Sequence, residues 1–204
     1  MGFIEIKGFS ANWKGYNQRL LKFLYDEVIK NNPTTILEFG TGFGYTTCAM
    51  AMALKDLNKG GKIYTYDSYT PNKVWRVKSS KDIVYSNLSK YDVNDFVSLN
   101  KINDINEWFS SPFKFDMAFI DIDNNADKLN LIFNNQYTKD AFNLGSDIYF
   151  CGGTEERDNI NRMRGEKPIS SVDCDIECVH GKPSSNFPLG EKGCIAKIKN
   201  YKDE

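Results

Sequence analysis

The sequence predicts an α/β fold, a doubly wound and mostly parallel sheet with helices on both faces and a C-terminal antiparallel hairpin. Three observations carry this expectation. Short apolar runs alternate with segments of helical periodicity through most of the chain. The run at 115–122 is almost continuously apolar, as a strand covered on both faces must be. The last third then changes character: two strand-like segments, 171–179 and 194–198, are joined by a Pro/Gly/Ser loop at 180–193 with no helix between them.

In order along the chain, Leu20, Leu21, Phe23, Leu24, Val28 and Ile29 recur at helical spacing, which predicts a helix over 18–29 that stops before Asn31-Asn32-Pro33. A strand at 35–39, a helix at 45–57, a turn at 58–61 and a strand at 62–67 follow as one right-handed crossover unit. Helical character returns at 72–91, then a strand at 96–101, a short helix at 105–109 and the apolar strand at 115–122. One helix is expected over 126–142 and a strand over 147–151. The Gly152-Gly153 turn leads to a helix capped by Thr154, with Glu155, Glu156 and Arg157 in its first turn. The 204 residues suit one domain spanning 1–204, divided into an N-terminal helical segment (1–33), a core (34–153) and a C-terminal helix with closing hairpin (154–204).

Composition excludes several classes. The chain is 41% hydrophobic and 14% aromatic, enough for a real core, and its formal net charge of -1 gives no bulk attraction to nucleic acid or to a membrane surface. No apolar run approaches the roughly 20 residues of a membrane span, and the N-terminus lacks a cationic flank followed by an apolar core. Ile6 stands where a myristoylation signal needs Ser or Thr. A cytoplasmic protein with no membrane partner is expected, and a homodimer stays open as its assembly. The five cysteines, Cys48, Cys151, Cys174, Cys178 and Cys194, then read as reduced thiols. Cys174, Cys178, His180 and Cys194 offer four possible ligands for zinc, but Val172, Cys174, Ile176 and Cys178 alternate with charged residues. These thiols are therefore expected on the buried face of a strand, and no metal site is assigned.

The chemistry-bearing stretch is 36–47, ILEFGTGFGYTT. A strand runs into Gly40, Gly42 and Gly44 before a helix, and a chain that turns there must let a ligand approach its backbone. The next strand ends on Asp67, a carboxylate placed to accept hydrogen bonds from both hydroxyls of an adenosine ribose. The spacing is Gly-x-Gly-x-Gly, and Tyr45 stands where the dinucleotide fingerprint has its third glycine. Glu38, just ahead of the loop, adds negative charge near the helix start, which suits a cationic cofactor better than a diphosphate. S-adenosylmethionine, with its sulfonium and ammonium groups, fits that charge.

These segments resemble the class I S-adenosylmethionine-dependent methyltransferases, whose fold is Rossmann-like. The closer similarity is to the catechol and caffeoyl-CoA type of O-methyltransferase, over residues 18–153. The resemblance implies that Gly40, Thr41, Gly42 and Gly44, with Tyr45 behind them, surround the methionyl part and that Glu38 supports the loop. It also implies that Asp67 holds the ribose, that Asn103 or Asp104 meets the adenine amino group, and that Asp121 ends its strand beside the transferring methyl. The metal-dependent members add an Asp-Asn pair after the fifth strand and a lysine three residues past the strand-four aspartate. Here those places hold Cys151-Gly152-Gly153 and Asn124, so both the metal ligands and the usual base are missing.

Methyl transfer to a small-molecule acceptor, most readily on oxygen and without a metal, is the expected activity. The product would be S-adenosylhomocysteine (SAH). For a hydroxyl acceptor the candidate proton acceptors are His180, Asp121 and Asp123; of the two aspartates Asp121 is favoured, with a purely binding role for it equally open. Trp13, Tyr16, Tyr69 and Trp75 are candidates for an acceptor wall. Lys73, Arg76, Lys78 and Lys81 form a basic run that reads as a solvated helix face. Two rivals stand beside this reading: a methyltransferase for nucleic acid or protein, and a cofactor binder that does not methylate.

Overall fold

The architecture comes from a computed structural model, which describes residues 2–6, 18–69, 81–110, 112–122, 124–181 and 194–201. The elements are α1 (Gln18–Asn31), β1 (Thr35–Phe39), α2 (Tyr45–Leu57), β2 (Lys62–Asp67), α3 (Lys81–Ser89), β3 (Val97–Lys101), α4 (Ile105–Phe109) and β4 (Met117–Ile120). They continue with α5 (Ala126–Phe133), α6 (Gln136–Asn143), β5 (Asp147–Cys151), α7 (Glu155–Met163), β6 (Cys174–His180) and β7 (Ile195–Tyr201). The strands form one sheet in the order β3-β2-β1-β4-β5-β7-β6. β1 to β5 run parallel, and β7 enters antiparallel between β5 and β6. The doubly wound sheet with a closing hairpin is as expected, and the last strand of the chain is the inner one of the pair.

Strand alternation sends side chains into two cores. Ile36, Met117, Phe119 and Tyr149 pack under α1, α2 and α3, whereas Leu37, Phe39, Ala118, Ile120, Ile148 and Phe150 pack under α4, α5 and α6. α2 is buried from Tyr45 through Leu54. Its alternating Ala49, Ala51 and Ala53 allow this, because a helix with neighbours on several sides needs small residues as well as apolar ones.

The helix expected over 126–142 is broken at Asn134 and Asn135. Asn135 leaves the helical conformation, and its side chain accepts a hydrogen bond from Tyr137 N, which starts α6 as a separately capped helix. Asparagine competes with helix continuation in this way because its short amide can replace a backbone acceptor. The helical region expected over 72–91 is helical at Lys81–Ser89, and 72–80 lie outside the described residues.

Because β1 neighbours both β2 and β4, the chain winds outward in opposite directions from the β1/β4 junction. Ligand clefts in such sheets open at the carboxyl ends of the strands flanking that point. The ends of β2, β5 and β6 lie on the same side, since β6 is antiparallel to β7 and therefore parallel to β5.

Two substitutions separate packing from capping. Phe119→Ala, at a side chain with no exposed surface, is expected to cost about 3–5 kcal/mol. Asn135→Ala, which removes one cap, is expected to cost about 1 kcal/mol. Urea unfolding of the two variants checks the ratio.

Candidate functional site

At the carboxyl end of β1 the chain passes so close to β4 that a side chain at Gly40 would collide with the carbonyl oxygen of Asp121. Gly40 has φ 93°, a conformation open to glycine. The approach is fixed from both sides: Asp121 N donates to Phe39 O at 2.8 Å, and Gly40 N donates to Tyr66 O at 2.8 Å. Gly42, at φ 54°, differs, because among the described residues no atom would lie within 4 Å of a Cβ there. The Gly42 N–H donates to Asp67 Oδ2 at 2.9 Å.

Asp67 thus reaches from the end of β2 to the centre of the glycine loop. Its second oxygen accepts from Tyr69 N at 2.9 Å, and its carbonyl accepts from Ile102 N at 3.0 Å. That last bond brings the segment after β3 beside Asp67. There Asp104 caps α4, accepting from Asn106 N at 2.8 Å, and Asn103 N donates to Glu107 Oε1 at 3.1 Å. Both residues are exposed at the cleft end, with the Asp104 carboxylate engaged in capping.

Glu38 lies beneath the loop. It shares the α2-facing side of β1 with Ile36 and is fully buried. Thr46 and Thr47 donate to its two oxygens at 2.7 and 2.6 Å. Burial pushes the carboxyl up to about 7; the hydroxyls of Thr47, Thr65 and Thr46 pull the other way, and the Asp67 charge adds to the rise. The full negative charge expected here is therefore reduced near neutral pH, and a cation brought beside it favours the charged form. Thr41, also buried, is in hydrogen-bond contact with Thr65 at 2.6 Å and with the Tyr69 hydroxyl at 3.2 Å. Tyr69 holds φ 50°, rare for a non-glycine residue, and the Lys81 ammonium lies 5.6 Å from its ring centre.

Other expected site residues have structural placements. Gly44, at φ 79°, is the N-cap of α2, and a Cβ there would lie 2.8 Å from Val84 Cγ1, so packing of α3 also demands glycine. The Tyr45 side chain is buried in the core that lies under α1, α2 and α3, with the Phe43 ring 6.0 Å away. Trp13, Tyr16, Trp75, Lys73, Arg76, Lys78 and Asp123 lie outside the described residues. Thr46, Thr47 and Thr65 were not legible as site residues. The signal for the first two was the Thr-Thr pair opening a helix over a strand carboxylate.

Beyond Asp121 the cleft is lined by structural ties. Asn124 is buried and donates through Nδ2 to Ile120 O at 3.0 Å and Cys151 O at 2.8 Å, clamping the ends of β4 and β5 together. Its carbonyl accepts from Arg157 and from Asn161 Nδ2. Gly152 and Gly153 have φ 124° and 84°. A Cβ at Gly152 would collide with buried Ile169, and one at Gly153 would lie 2.7 Å from Ala196 Cβ. Side-chain ligands of the Asp-Asn kind have no room at these positions. Among the described residues no group of three or more His, Cys, Asp or Glu is placed to hold a metal.

His180 is half-buried and stacks on Phe23 of α1, with ring centres 4.8 Å apart. Burial, with Arg19 nearby, holds its imidazole below the usual range. Asp121 is level with Cys151, Cys151 pairs with Ile195, and Ile195 with His180. The two backbones are thus three strand spacings apart, roughly 14 Å. Asp121 and His180 are at the same end of the sheet but are not a pair.

No family model matches the chain, and no curated protein matches it. Solved structures do resemble it in fold. The SAH-bound methyltransferase PaMTH1 of Podospora anserina superposes with a TM-score of 0.59 at 16% identity, over 93% of this chain and 81% of that one. The O-methyltransferase of Bacillus cereus in complex with SAH gives 0.56 at 20% identity, over 91% and 83%. TomG of Streptomyces achromogenes, an O-methyltransferase involved in tomaymycin synthesis and crystallised with SAM, gives 0.56 at 16% identity, over 91% and 82%. The chain has the Rossmann-like fold that these methyltransferases share.

Glu38 sets a pH dependence. Its carboxyl rises from the ordinary 4.5 to about 7 on folding, so the folded state binds the extra proton between those values. The stability this contributes is fully present below about pH 4.5 and is lost as pH rises through 7, a change of about 3 kcal/mol. In Glu38→Gln that component is expected to vanish. Urea unfolding at pH 5 and pH 8 should show a smaller stability difference in the variant, and parallel pH profiles would contradict the assignment.

Proposed function

We propose that the protein transfers a methyl group from S-adenosylmethionine to an oxygen of a small molecule without using a divalent metal. The observation that best supports this reading is the Asp67 carboxylate bound to the N–H of Gly42, in the glycine loop at the switch point of the sheet. A cationic adenosyl cofactor fits these residues. The carboxylate of Asp67 has about four lone-pair positions; Gly42 N and Tyr69 N use two, and the Ser68 hydroxyl, at 3.5 Å, makes a long contact that a ribose hydroxyl could displace. Gly40, Thr41 and Gly42 bring backbone and a small side chain to the methionyl part, and Glu38 beneath them responds to positive charge. Asn103 and Asp104, tied to Asp67 through Ile102, are the residues that would meet the adenine.

The cofactor, when bound, supplies a methyl carbon made electrophilic by its sulfonium sulfur. Asp121, held at the β1/β4 crossing by its own backbone, is the carboxylate that takes the acceptor proton. The rigid crossing contributes orientation, which for well-aligned reactants lowers barriers by several kcal/mol. His180, stacked on Phe23, has no assigned step. Metal independence is supported by the crowding at Gly152 and Gly153, and a small acceptor by the near-zero net charge. A cytoplasmic setting belongs to the same proposal. Among the described residues no helix is long and apolar enough to cross a membrane.

A second reading, a binder of the cofactor without turnover, is favoured by one observation: Asn124 replaces the family's base and its amide is fully engaged with backbone. A transfer assay separates the two. Protein given methyl-labelled S-adenosylmethionine and fractionated small-molecule extract is expected to label an acceptor equally with and without EDTA. Asp121→Asn should lower kcat about 100-fold or more with donor affinity retained. Loss of transfer in EDTA, restored by magnesium, would overturn metal independence, and donor binding with no labelled fraction would establish the second reading.

A further inference from the structure

The cysteine cluster is not absorbed by the cofactor site. β6 and β7 separate its members. Cys174 is buried and pairs in register with Tyr201, and the His180 ring lies on Phe23. Cys178 is exposed, Cys194 is partly buried, and their sulfur atoms are in contact at 2.6 Å. The expectation that Cys178 lies on the buried face of its strand is therefore corrected. The physical reason is position and not alternation: Cys178 still shares the face of Cys174 and Ile176, opposite Ala196, but it lies towards the end of β6, the edge strand of the sheet. The register becomes irregular only beyond it, between Cys178 and His180. Both sulfurs also face one acceptor, the Gly181 carbonyl, at 3.3 and 3.4 Å.

We infer that Cys178 and Cys194 are a redox-active dithiol that closes to an intramolecular disulfide at the cleft end of the β6–β7 pair. The other cysteines, Cys48, Cys151 and Cys174, are buried in the two cores, so the exposed Cys178 is the one an external reagent meets first. Burial and the adjacent Cys178 push the Cys194 thiol up, which fits a resolving role and not an attacking one.

The oxidant is a small dialkyl disulfide. The Cys178 thiolate attacks one of its sulfurs, the external S–S bond breaks, and one alkyl thiolate leaves and takes up a proton. Cys194 then gives up its proton and attacks the Cys178 sulfur of the mixed disulfide, displacing the second alkyl thiolate, which is protonated in turn. Two protein thiols are oxidised to one disulfide and the dialkyl disulfide is reduced to two thiols.

The bond would join residues 16 positions apart in sequence. It also bears on the cleft, because the carbonyl of Cys194 accepts from Gly152 N at 2.9 Å, in the turn that follows β5. Closure therefore fixes the edge of the sheet that adjoins the crowded glycine pair.

The test is treatment of the full chain with glutathione disulfide, followed by alkylation, intact mass and non-reducing peptide mapping. The expected result is loss of two hydrogen masses and a cross-linked Cys178–Cys194 peptide, both reversed by dithiothreitol. Cys194→Ser should stop at a glutathione adduct on Cys178. Full alkylation of both thiols after treatment, a stable adduct on Cys178 of the unsubstituted chain, or a cross-link to Cys48, Cys151 or Cys174 would each overturn the inference. The mapping on the unsubstituted chain decides the matter whether or not the serine variant folds.

Discussion

The hydrogen bond from Gly42 N to the Asp67 carboxylate is the interaction on which the rest of the site depends. A loop of three positive-φ glycines has few backbone preferences of its own, and ordering it costs more conformational entropy than ordering other residues. Asp67 supplies a fixed acceptor from β2, the Gly40 backbone is pinned between β2 and β4, and Gly44 is locked by Val84 of α3. Three different elements thereby hold a segment that must keep its backbone bare. Glu38 adds a buried polar floor, satisfied by the hydroxyls of Thr46 and Thr47 and costly to charge.

The acceptor side of the cleft is organised on another principle. At the positions where the sequence resemblance leads one to look for metal ligands and a lysine, this chain fastens strands. The Asn124 amide bridges β4 to β5, and its carbonyl receives α7 through Arg157 and Asn161. Gly152 and Gly153 let Ile169 and Ala196 approach the backbone, so β7 can lie against β5. Tight packing has taken the volume that ligand side chains would need. The cofactor half and the acceptor half therefore make different demands on sequence, the first for open backbone and the second for closure.

Much of this was legible because local signals and tertiary structure agree. The strands at Thr35–Phe39, Lys62–Asp67 and Asp147–Cys151 and the helix at Tyr45–Leu57 fall where alternation, helical spacing and turn residues place them. Asp67 was legible because a carboxylate ending the strand after a glycine loop has one placement in this topology. What was not legible depended on partners distant in sequence. The break before α6 turns on whether an asparagine caps or continues a helix, and the burial of Tyr45 on neighbours as distant in sequence as Tyr91. The use of Asp104 as a cap was open to a sequence signal, Asp-x-x-Glu, that the resemblance outweighed. Cys178 was expected to be buried because period-two alternation gives a residue's face but not whether its strand lies at the edge of the sheet.

The central claim is that Asp67 and the glycine loop form one adenosyl-binding unit, and calorimetric titration tests it most directly. The unsubstituted chain is expected to bind S-adenosylmethionine and SAH and to ignore NAD. Asp67→Ala should lose adenosyl binding while its urea-unfolding transition stays cooperative. Equal affinity in the variant, or no binding to a folded unsubstituted chain, would contradict the account and leave the glycine loop a purely structural turn.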